Sequence, residues 1–213
     1  MLILHYTGME SAERAVSWLC TPESRVSCHY LVGERGEITQ MVDEGLRAWH
    51  AGQSFWKGET DVNSASIGIE IHNRGHGLGY PDFPLVQMEA AANLCIDILS
   101  RNPISPQNVL AHSDIAPMRK ADPGEKFDWK FLHERGIGHW VPPESISNDT
   151  TDLSEMQRLL SDYGYGIEQT GTVTPRSTAV IRAFQRHFRP ARVDGVADRS
   201  TLETLRKLIG ALT

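Results

Sequence analysis

The sequence of 213 residues contains no apolar run that approaches the ~18 residues of a membrane-spanning helix. It also shows no signal peptide before its first apolar stretch, Leu2–Tyr6, which already has the character of a buried strand. We therefore expect no transmembrane segment. For the sequence as given we expect a cytoplasmic protein. A periplasmic or envelope protein is the alternative if the natural chain begins further upstream.

Cysteine is scarce and basic runs are missing. The three cysteines are Cys20, Cys28 and Cys95, and none forms a Cys-x-x-Cys pair. Cys95 lies on the apolar stripe of a predicted helix and is expected in the core, whereas a Cys20–Cys28 disulfide is left open. No segment carries enough Lys and Arg to neutralise a phosphate backbone, which argues against a nucleic-acid partner.

The charge is unevenly distributed along the chain. The whole sequence has 21 Lys and Arg against 27 Asp and Glu, but residues 151–213 have nine against seven. This change coincides with a proline-containing polar stretch at 141–151, which we interpret as a linker. The predicted organisation is a domain at 1–140, the linker 141–151 and a second domain at 152–213. Nothing in the sequence indicates an oligomer, and a monomer is favoured.

Hydrophobic periodicity predicts a mixture of strands and helices in the first domain. Residues 67, 69 and 71 are Ile and alternate with Gly68, Glu70 and His72, which predicts a strand with two different faces. Leu85–Arg101 repeats apolar residues at helical spacing. The expected fold is α/β, with a central mixed sheet flanked by helices and followed by a small three-helix bundle. Further strands are predicted at 2–6, 29–32, 37–42 and 108–112, and further helices at about 10–19 and 129–135.

Nine histidines suggest a metal site. His5 and His112 each end a predicted strand, and Asp122 follows in an irregular Pro-Gly stretch. Two imidazoles and a carboxylate are ligands that zinc accepts, with the fourth position left open for catalysis. Scattered core and surface histidines remain the alternative at this point, because more than a hundred residues separate the first ligand from the others.

Two further residues suit hydrolysis. Glu70 places a carboxylate on a central strand, where burial is costly without a partner or a function. It is a candidate general base, with a structural salt bridge as the alternative. Lys120 is a candidate for stabilising an oxyanion, although alone it reads as an ordinary surface lysine.

Six segments in chain order resemble the type 2 N-acetylmuramoyl-L-alanine amidases, which are related to phage-lysozyme amidases and peptidoglycan recognition proteins. The likeness covers about residues 1–140. The segments are Leu4–Thr7, Ser27–Val32, Ala48–Gly52, Ile67–Asn73, Ala111–Ile115 and Arg119–Gly124.

The resemblance implies roles for individual residues. His5, His112 and Asp122 match the ligands of one zinc ion, Glu70 the general base and Lys120 the oxyanion stabiliser. Arg119 matches a position beside the stem-peptide carboxylate. Three more residues, His29, Trp49 and His50, match motifs that line or support the substrate cleft and are candidates for substrate binding. Three other histidines, at 72, 76 and 139, have no matched role and are expected on the surface.

Residues 153–209 resemble a three-helix peptidoglycan-binding domain. Thr174 and Pro175 predict the start of one helix, and Asp198 the cap of another. Asp194 and Asp198 lack the ligand ladder of an EF-hand, so we interpret this stretch as a turn and a helix cap. Deleting 151–213 is accordingly expected to weaken binding to whole wall and to spare small soluble muropeptides.

The implied function is zinc-dependent hydrolysis of the amide between N-acetylmuramic acid, in ordinary or 1,6-anhydro form, and L-alanine, in cell-wall turnover or recycling. The alternative is a non-catalytic peptidoglycan-binding protein, since some relatives keep the cleft and lose the metal. A zinc peptidase that cuts within the stem peptide is a further alternative.

Overall fold

The computed structural model describes residues 1–212, so that Thr213, the last residue of the predicted second domain, lies outside the described part. One five-stranded sheet forms the centre, with the strand order β3-β2-β4-β1-β5. The β2–β3 pair is antiparallel, and the other neighbouring pairs are parallel. The sheet is therefore mixed, as predicted. Its strands are β1 (Leu2–Tyr6), β2 (Tyr30–Val32), β3 (Ile38–Gln40), β4 (Ile67–Ile71) and β5 (Val109–Ala111).

Seven α-helices accompany the sheet within residues 1–212. Three of them, α5 to α7, follow the predicted linker and form the small helical unit that we call the C-terminal module (residues 153–212). The helices are α1 (Ala12–Leu19), α2 (Leu85–Arg101), α3 (His112–Ile115), α4 (Trp129–His133), α5 (Leu153–Tyr163), α6 (Pro175–Phe188) and α7 (Arg199–Gly210). None of the helices in this range has both the length and the apolar character needed to cross a bilayer.

One face of the sheet packs against α2. The three isoleucines of β4 point to this face and are almost fully buried. They meet a stripe of α2 that contains Met88, Cys95 and Ile98. Leu85, which the sequence placed on that stripe, is 63% exposed, because the helix begins there and the buried stripe starts one turn later.

The opposite face of the sheet packs against the C-terminal module. Ile3 and Leu110 from the sheet belong to one hydrophobic cluster that also contains Leu160, Phe184 and Phe188 of the module. The module therefore shares its core with the first domain. This contact changes the expectation that the module is readily separable.

The segment 141–151 lies against the module in an extended, hydrogen-bonded path. The backbone N–H of Glu144 donates to Thr204 Oγ1 at 3.0 Å, and the N–H of Arg199 donates to the Asp149 carbonyl at 2.9 Å. At least two points along the segment are thus fixed to α7, which it precedes by about fifty residues.

The predicted helix caps of the module are present. The Thr174 side chain accepts from the backbone N–H of Ser177, with Pro175 as the first helical residue. The Asp198 carboxylate accepts from the N–H of Thr201 at 2.7 Å and begins α7. Asp198 thus serves as a cap, as the sequence indicated. The cysteines at 20, 28 and 95 are free thiols, so no Cys20–Cys28 disulfide is present.

Candidate active site

The register of the parallel strands brings three polar residues to one edge of the sheet. His5 and Glu70 are partners in the β1–β4 pair, and neighbouring residues in register point to the same face. Leu4 pairs with Ala111 on the other side, so that His112 follows directly beside His5. The carboxyl ends of β1, β4 and β5 therefore place these side chains together, at the edge where open α/β sheets bind ligands.

His5, His112 and Asp122 converge on one point. The two Nδ1 atoms lie 2.9 Å apart, and Asp122 Oδ2 lies 3.2 Å from His5 Nδ1 and 3.0 Å from His112 Nδ1. All three side chains are buried. They form the one group of at least three potential metal ligands found among residues 1–212.

The hydrogen bond of His112 fixes its tautomer. Nε2 lies 3.1 Å from the carbonyl oxygen of Ala51, which can only accept a hydrogen bond. The proton of the neutral ring is therefore on Nε2, and Nδ1 turns a lone pair toward Asp122. A hydrogen bond of this kind, made by the ring nitrogen that faces away from the ion, orients a ligand ring for a metal.

A chain of hydrogen bonds fixes His5 in the same way. The Ser66 hydroxyl donates its single proton to the Val62 carbonyl, so Ser66 Oγ accepts from His50 Nε2 at 3.3 Å. His50 Nδ1 is then a lone pair and accepts from His5 Nε2 at 3.0 Å. His5 Nδ1 is left without a proton, like that of His112.

This donor set fits a cation. Two lone pairs and a carboxylate oxygen face one another without a proton between them, which is repulsive unless a positive ion binds. In a tetrahedral zinc shell with Zn–N near 2.0–2.1 Å, ligand atoms are separated by roughly 3.3 Å, close to the separations observed. Burial and the neighbouring His112 lower the pKa of His5 to about 4, so its ring is neutral near pH 7.

Glu70 stands beside this group as a partly buried carboxylate. Its Oε2 atom is buried and makes no hydrogen bond to the part of the chain that the structure describes. Burial, reinforced by the Asp122 carboxylate, raises the pKa of Glu70 to about 8, while the Lys120 ammonium acts in the opposite direction. A carboxyl with a pKa near neutrality can both take up and release a proton at physiological pH.

These residues line an open cleft of about 560 Å³. Lys120 and Arg119 lie on its wall together with the metal-binding group and Glu70. The Arg119 guanidinium donates to the carbonyls of Ala51 (2.8 Å) and Gln53 (2.7 Å), which holds the side chain against the wall. Trp49 lines the same cleft with 55% of its surface exposed. The cleft therefore brings together eight of the nine residues for which the sequence suggested a role in the site, all except His29.

The structure places His29 elsewhere, which corrects its assignment to substrate binding. His29 is fully buried and is not among the residues that line the cleft. Its Nδ1 accepts from the backbone N–H of Gly68, and its Nε2 lies 3.1 Å from the Leu46 carbonyl. Both ring nitrogens are occupied by the backbone, so the side chain supports β4 from behind the site.

His50 lines the cleft but lies behind His5, where it orients that ring. The position explains Gly68, since a Cβ atom there would come within 2.6 Å of the His50 ring. The hydrogen-bond partners of the two candidate ligand histidines could not be identified from the sequence. The resemblance placed His50 in a cleft motif but not as the partner of His5, and a backbone carbonyl such as that of Ala51 leaves no mark in the sequence.

The histidines without a predicted role are not all on the surface. His72 is 2% exposed, and its Nδ1 lies 3.0 Å from the Thr7 hydroxyl, which contradicts the surface prediction. His139 is partly buried, with Nδ1 2.9 Å from the Tyr163 hydroxyl. His76 remains accessible and bridges Tyr6 to Glu125 at the cleft margin.

Sequence and structure comparisons agree with this geometry. Residues 1–125 match the family of N-acetylmuramoyl-L-alanine amidases, and residues 149–205 match a peptidoglycan binding domain family. The N-acetylmuramoyl-L-alanine amidase AmiD of Escherichia coli K12 is 40% identical, over 94% of this chain and 79% of its own.

Two solved structures resemble the whole fold. AmiD from E. coli, in complex with the substrate anhydro-N-acetylmuramic acid-L-Ala-D-γ-Glu-L-Lys, has a TM-score of 0.89 and 36% identity, covering 99% of this chain and 88% of its own. AmpDh3 from Pseudomonas aeruginosa, in complex with anhydromuramic pentapeptide, has a TM-score of 0.88 and 34% identity, covering 100% and 91%. The family match over the strands that carry the site, together with a relative aligned along nearly the full length, shows that the chain belongs to the N-acetylmuramoyl-L-alanine amidases.

Proposed function

We propose that this protein hydrolyses the amide bond between N-acetylmuramic acid, in ordinary or 1,6-anhydro form, and the L-alanine of the peptidoglycan stem peptide. The observation that carries the proposal is the meeting of two unprotonated imidazole nitrogens and a carboxylate beside the partly buried Glu70. Family membership supports the choice of bond. Both similar solved structures contain an anhydromuramyl peptide, which supports the anhydro form as a substrate.

We assign His5, His112 and Asp122 as the ligands of one zinc ion. Two neutral histidines and one aspartate are a donor set that zinc accepts, and three protein ligands leave a position free. When bound, zinc supplies Lewis acidity, which acidifies water and polarises a carbonyl oxygen. The tautomers set by Ala51 and His50 prepare both rings for this ion before it arrives.

We assign Glu70 as the group that moves protons during the reaction. Its carboxylate takes a proton from the attacking water and delivers it to the nitrogen of the departing L-alanine. Its Oε2 atom is free of competing hydrogen bonds. Burial and Asp122 raise the pKa of Glu70 to about 8, against the opposing effect of Lys120. A bound metal cation would act in the same direction as Lys120 and would favour the ionised carboxylate that a base requires. The ammonium of Lys120, on the same cleft wall, stabilises the negative charge that develops on the attacked carbonyl oxygen.

The proposed partner of the C-terminal module is the peptidoglycan polymer. We propose that the C-terminal module contacts peptidoglycan, as the family match over 149–205 supports. Arg119 and Trp49, exposed on the cleft wall, are assigned to substrate contact, Arg119 with a stem-peptide carboxylate. The non-catalytic alternative is less favoured, because the ligand group, Glu70 and Lys120 are all present in one cleft.

Digestion of anhydro-muropeptides and purified sacculi, followed by mass spectrometry, tests the proposal. We expect release of intact stem peptides that begin with L-alanine, loss of this activity with a chelator and its recovery with zinc. Cleavage within the stem peptide would indicate a peptidase instead. Tight binding without any cleavage, with zinc bound, would identify a non-catalytic recognition protein.

A further inference from the structure

The helix that carries one metal ligand is too short to hold itself in place. α3 contains four residues and begins with His112. A single turn gains little from its own hydrogen bonds and depends on the contacts around it. The position of His112 relative to His5 and Asp122 therefore depends on what holds α3.

Asp114, on α3, is the main polar anchor of this helix. It is fully buried, and both of its carboxylate oxygens are occupied. Oδ2 accepts from the backbone N–H of Ala111 at 2.8 Å and from His187 Nδ1 at 2.7 Å, while Oδ1 accepts from the Tyr165 hydroxyl at 2.7 Å. Two of the three donors come from the C-terminal module, more than fifty residues away along the chain.

The two donors are themselves held firmly. The ring of His187 lies between Trp129, at a centroid distance of 3.7 Å, and Phe188, at 3.9 Å. The ring of Tyr165 packs edge-on against Trp56 at 5.0 Å. Both side chains are at most 2% exposed. The hydrogen bonds to Asp114 thus join two rigid surfaces.

We infer that Tyr165 and His187 are positioning residues for the metal site: through Asp114 they hold the helix that carries His112. The module then has a second task besides contact with the wall, because it completes the frame of the metal site. This inference rests on the proposed function, since it assumes that His112 binds zinc. Neither Tyr165 nor His187 lines the cleft. Substitution of either residue is therefore expected to change metal affinity and to leave direct contacts with substrate intact.

A matched pair of tyrosines allows a sharp test. Tyr163 and Tyr165 are both buried in the module and both hydrogen-bonded through the hydroxyl, but Tyr163 lies 2.9 Å from His139 and does not bond Asp114. Each is changed to Phe in the full chain. Zinc affinity is measured by competition with a chelator, and the unfolding midpoint is measured on the metal-free protein.

We expect Tyr165→Phe to weaken zinc binding roughly tenfold, as loss of an indirect support of a metal ligand does elsewhere, and Tyr163→Phe to change it less than twofold. Tyr165→Phe removes a buried hydrogen bond to a carboxylate, and Tyr163→Phe removes a partly buried one to His139, so the larger fall in the midpoint is expected for Tyr165→Phe. Equal zinc affinities in the two variants would overturn the inference, whether both are weakened or neither is.

Substitutions of His187 give an independent second measurement. His187→Phe keeps an aromatic ring against Trp129 and removes the donor, and it is expected to weaken zinc binding as Tyr165→Phe does. His187→Asn places an amide N–H near the position of Nδ1 and is expected to recover part of the affinity. Equal weakening by Asn and Phe would show that the hydrogen bond to Asp114 is not the cause. If the unaltered protein binds zinc but releases no stem peptide, the proposed function fails, whereas the comparison of affinities still decides this inference.

Discussion

The two faces of the central sheet differ in how they are covered. On one face the isoleucines of β4 pack against α2, which follows in the next stretch of the chain. On the other face, Gly68 and Glu70 of the same strand lie beside the candidate metal-binding group. The C-terminal module completes the layer that covers this face. The first face is apolar and is covered by α2, a helix that lies close to β4 in the sequence. The second face holds the candidate active site and is closed by residues from the far end of the chain.

The difference shows why the module cannot be treated as an appendage. Its buried side chains and those of the catalytic face form one cluster, and two of its polar side chains reach the helix of His112. A module that also closes the core couples the stability of the site to its own folding. Five predictions probe the comparison of the two faces, from the largest expected effect to the smallest.

Removal of residues 151–213 should have the largest effect. It exposes Ile3, Trp56 and Ile115 on the catalytic face, and each buried side chain of this size contributes about 1.5–3 kcal/mol. The sum for the three side chains is comparable to the free energy of unfolding of a typical domain, which is about 5–15 kcal/mol. We expect loss of cooperative unfolding and of activity on small soluble muropeptides as well as on whole wall. Full activity of the truncated chain on a small substrate would show that the shared core is dispensable.

Asp122→Ala should abolish zinc binding and turnover together. The substitution removes the single carboxylate from the ligand group and leaves two facing imidazole nitrogens. Metal analysis after dialysis, and product release measured by mass, check the result. Tight zinc retention would remove Asp122 from the ligand set.

Glu70→Gln should separate the metal from the reaction. The amide keeps the shape of the side chain but cannot take up a proton, so we expect zinc binding to persist and kcat to fall by a factor on the order of 10² to 10⁴. A parallel zinc titration serves as the control. Turnover within threefold of the unaltered protein would contradict the role of Glu70 as the base.

Neighbouring substitutions on β4 compare the two faces directly. Gly68→Ala places a Cβ atom 2.6 Å from the His50 ring, so His50 must shift, at a cost of about 1–3 kcal/mol, and the support of His5 is lost. Ile69→Val, on the α2 face, should cost about 0.5–1.5 kcal/mol and leave zinc affinity unchanged. Denaturant unfolding and chelator competition measure both quantities. Equal effects on zinc from both substitutions would mean that the faces are not distinct in this way.

The smallest effect concerns pH at the contact between the two parts of the chain. Burial, with a contribution from His133, lowers the pKa of His139 from 6.5 to about 4. Between these values the unfolded chain binds more protons than the folded protein, so stability falls as the pH drops from 6.5 toward 4 and is unaffected above that range. Because His139 is partly exposed, we expect no more than about 1 kcal/mol. His139→Gln should flatten this slope in unfolding curves of the metal-free protein, and an unchanged slope would assign it to other groups.

Much of the scaffold follows from local patterns. The alternation around Ile69 predicts β4, and apolar spacing predicts α2 with bounds that the structure reproduces. The helix caps at Thr174 and Asp198 are also predicted locally, each from its own capping side chain and the helical residues that follow it. The candidate ligands cannot be identified from spacing alone, because scattered core and surface histidines fit the same spacing. The family motifs identify them.

Local patterns in the sequence predict the elements and the apolar face of the sheet, and its motifs indicate the family, since all of these depend on residues close together in the chain. The folded structure was needed to show which nitrogen of His5 and His112 faces Asp122, that His29 lies behind the site, and that the module shares the core. The reason is physical. A hydrogen bond from Tyr165 to Asp114, or from His112 to Ala51, joins residues more than fifty positions apart, and its existence depends on the path of the folded chain between them.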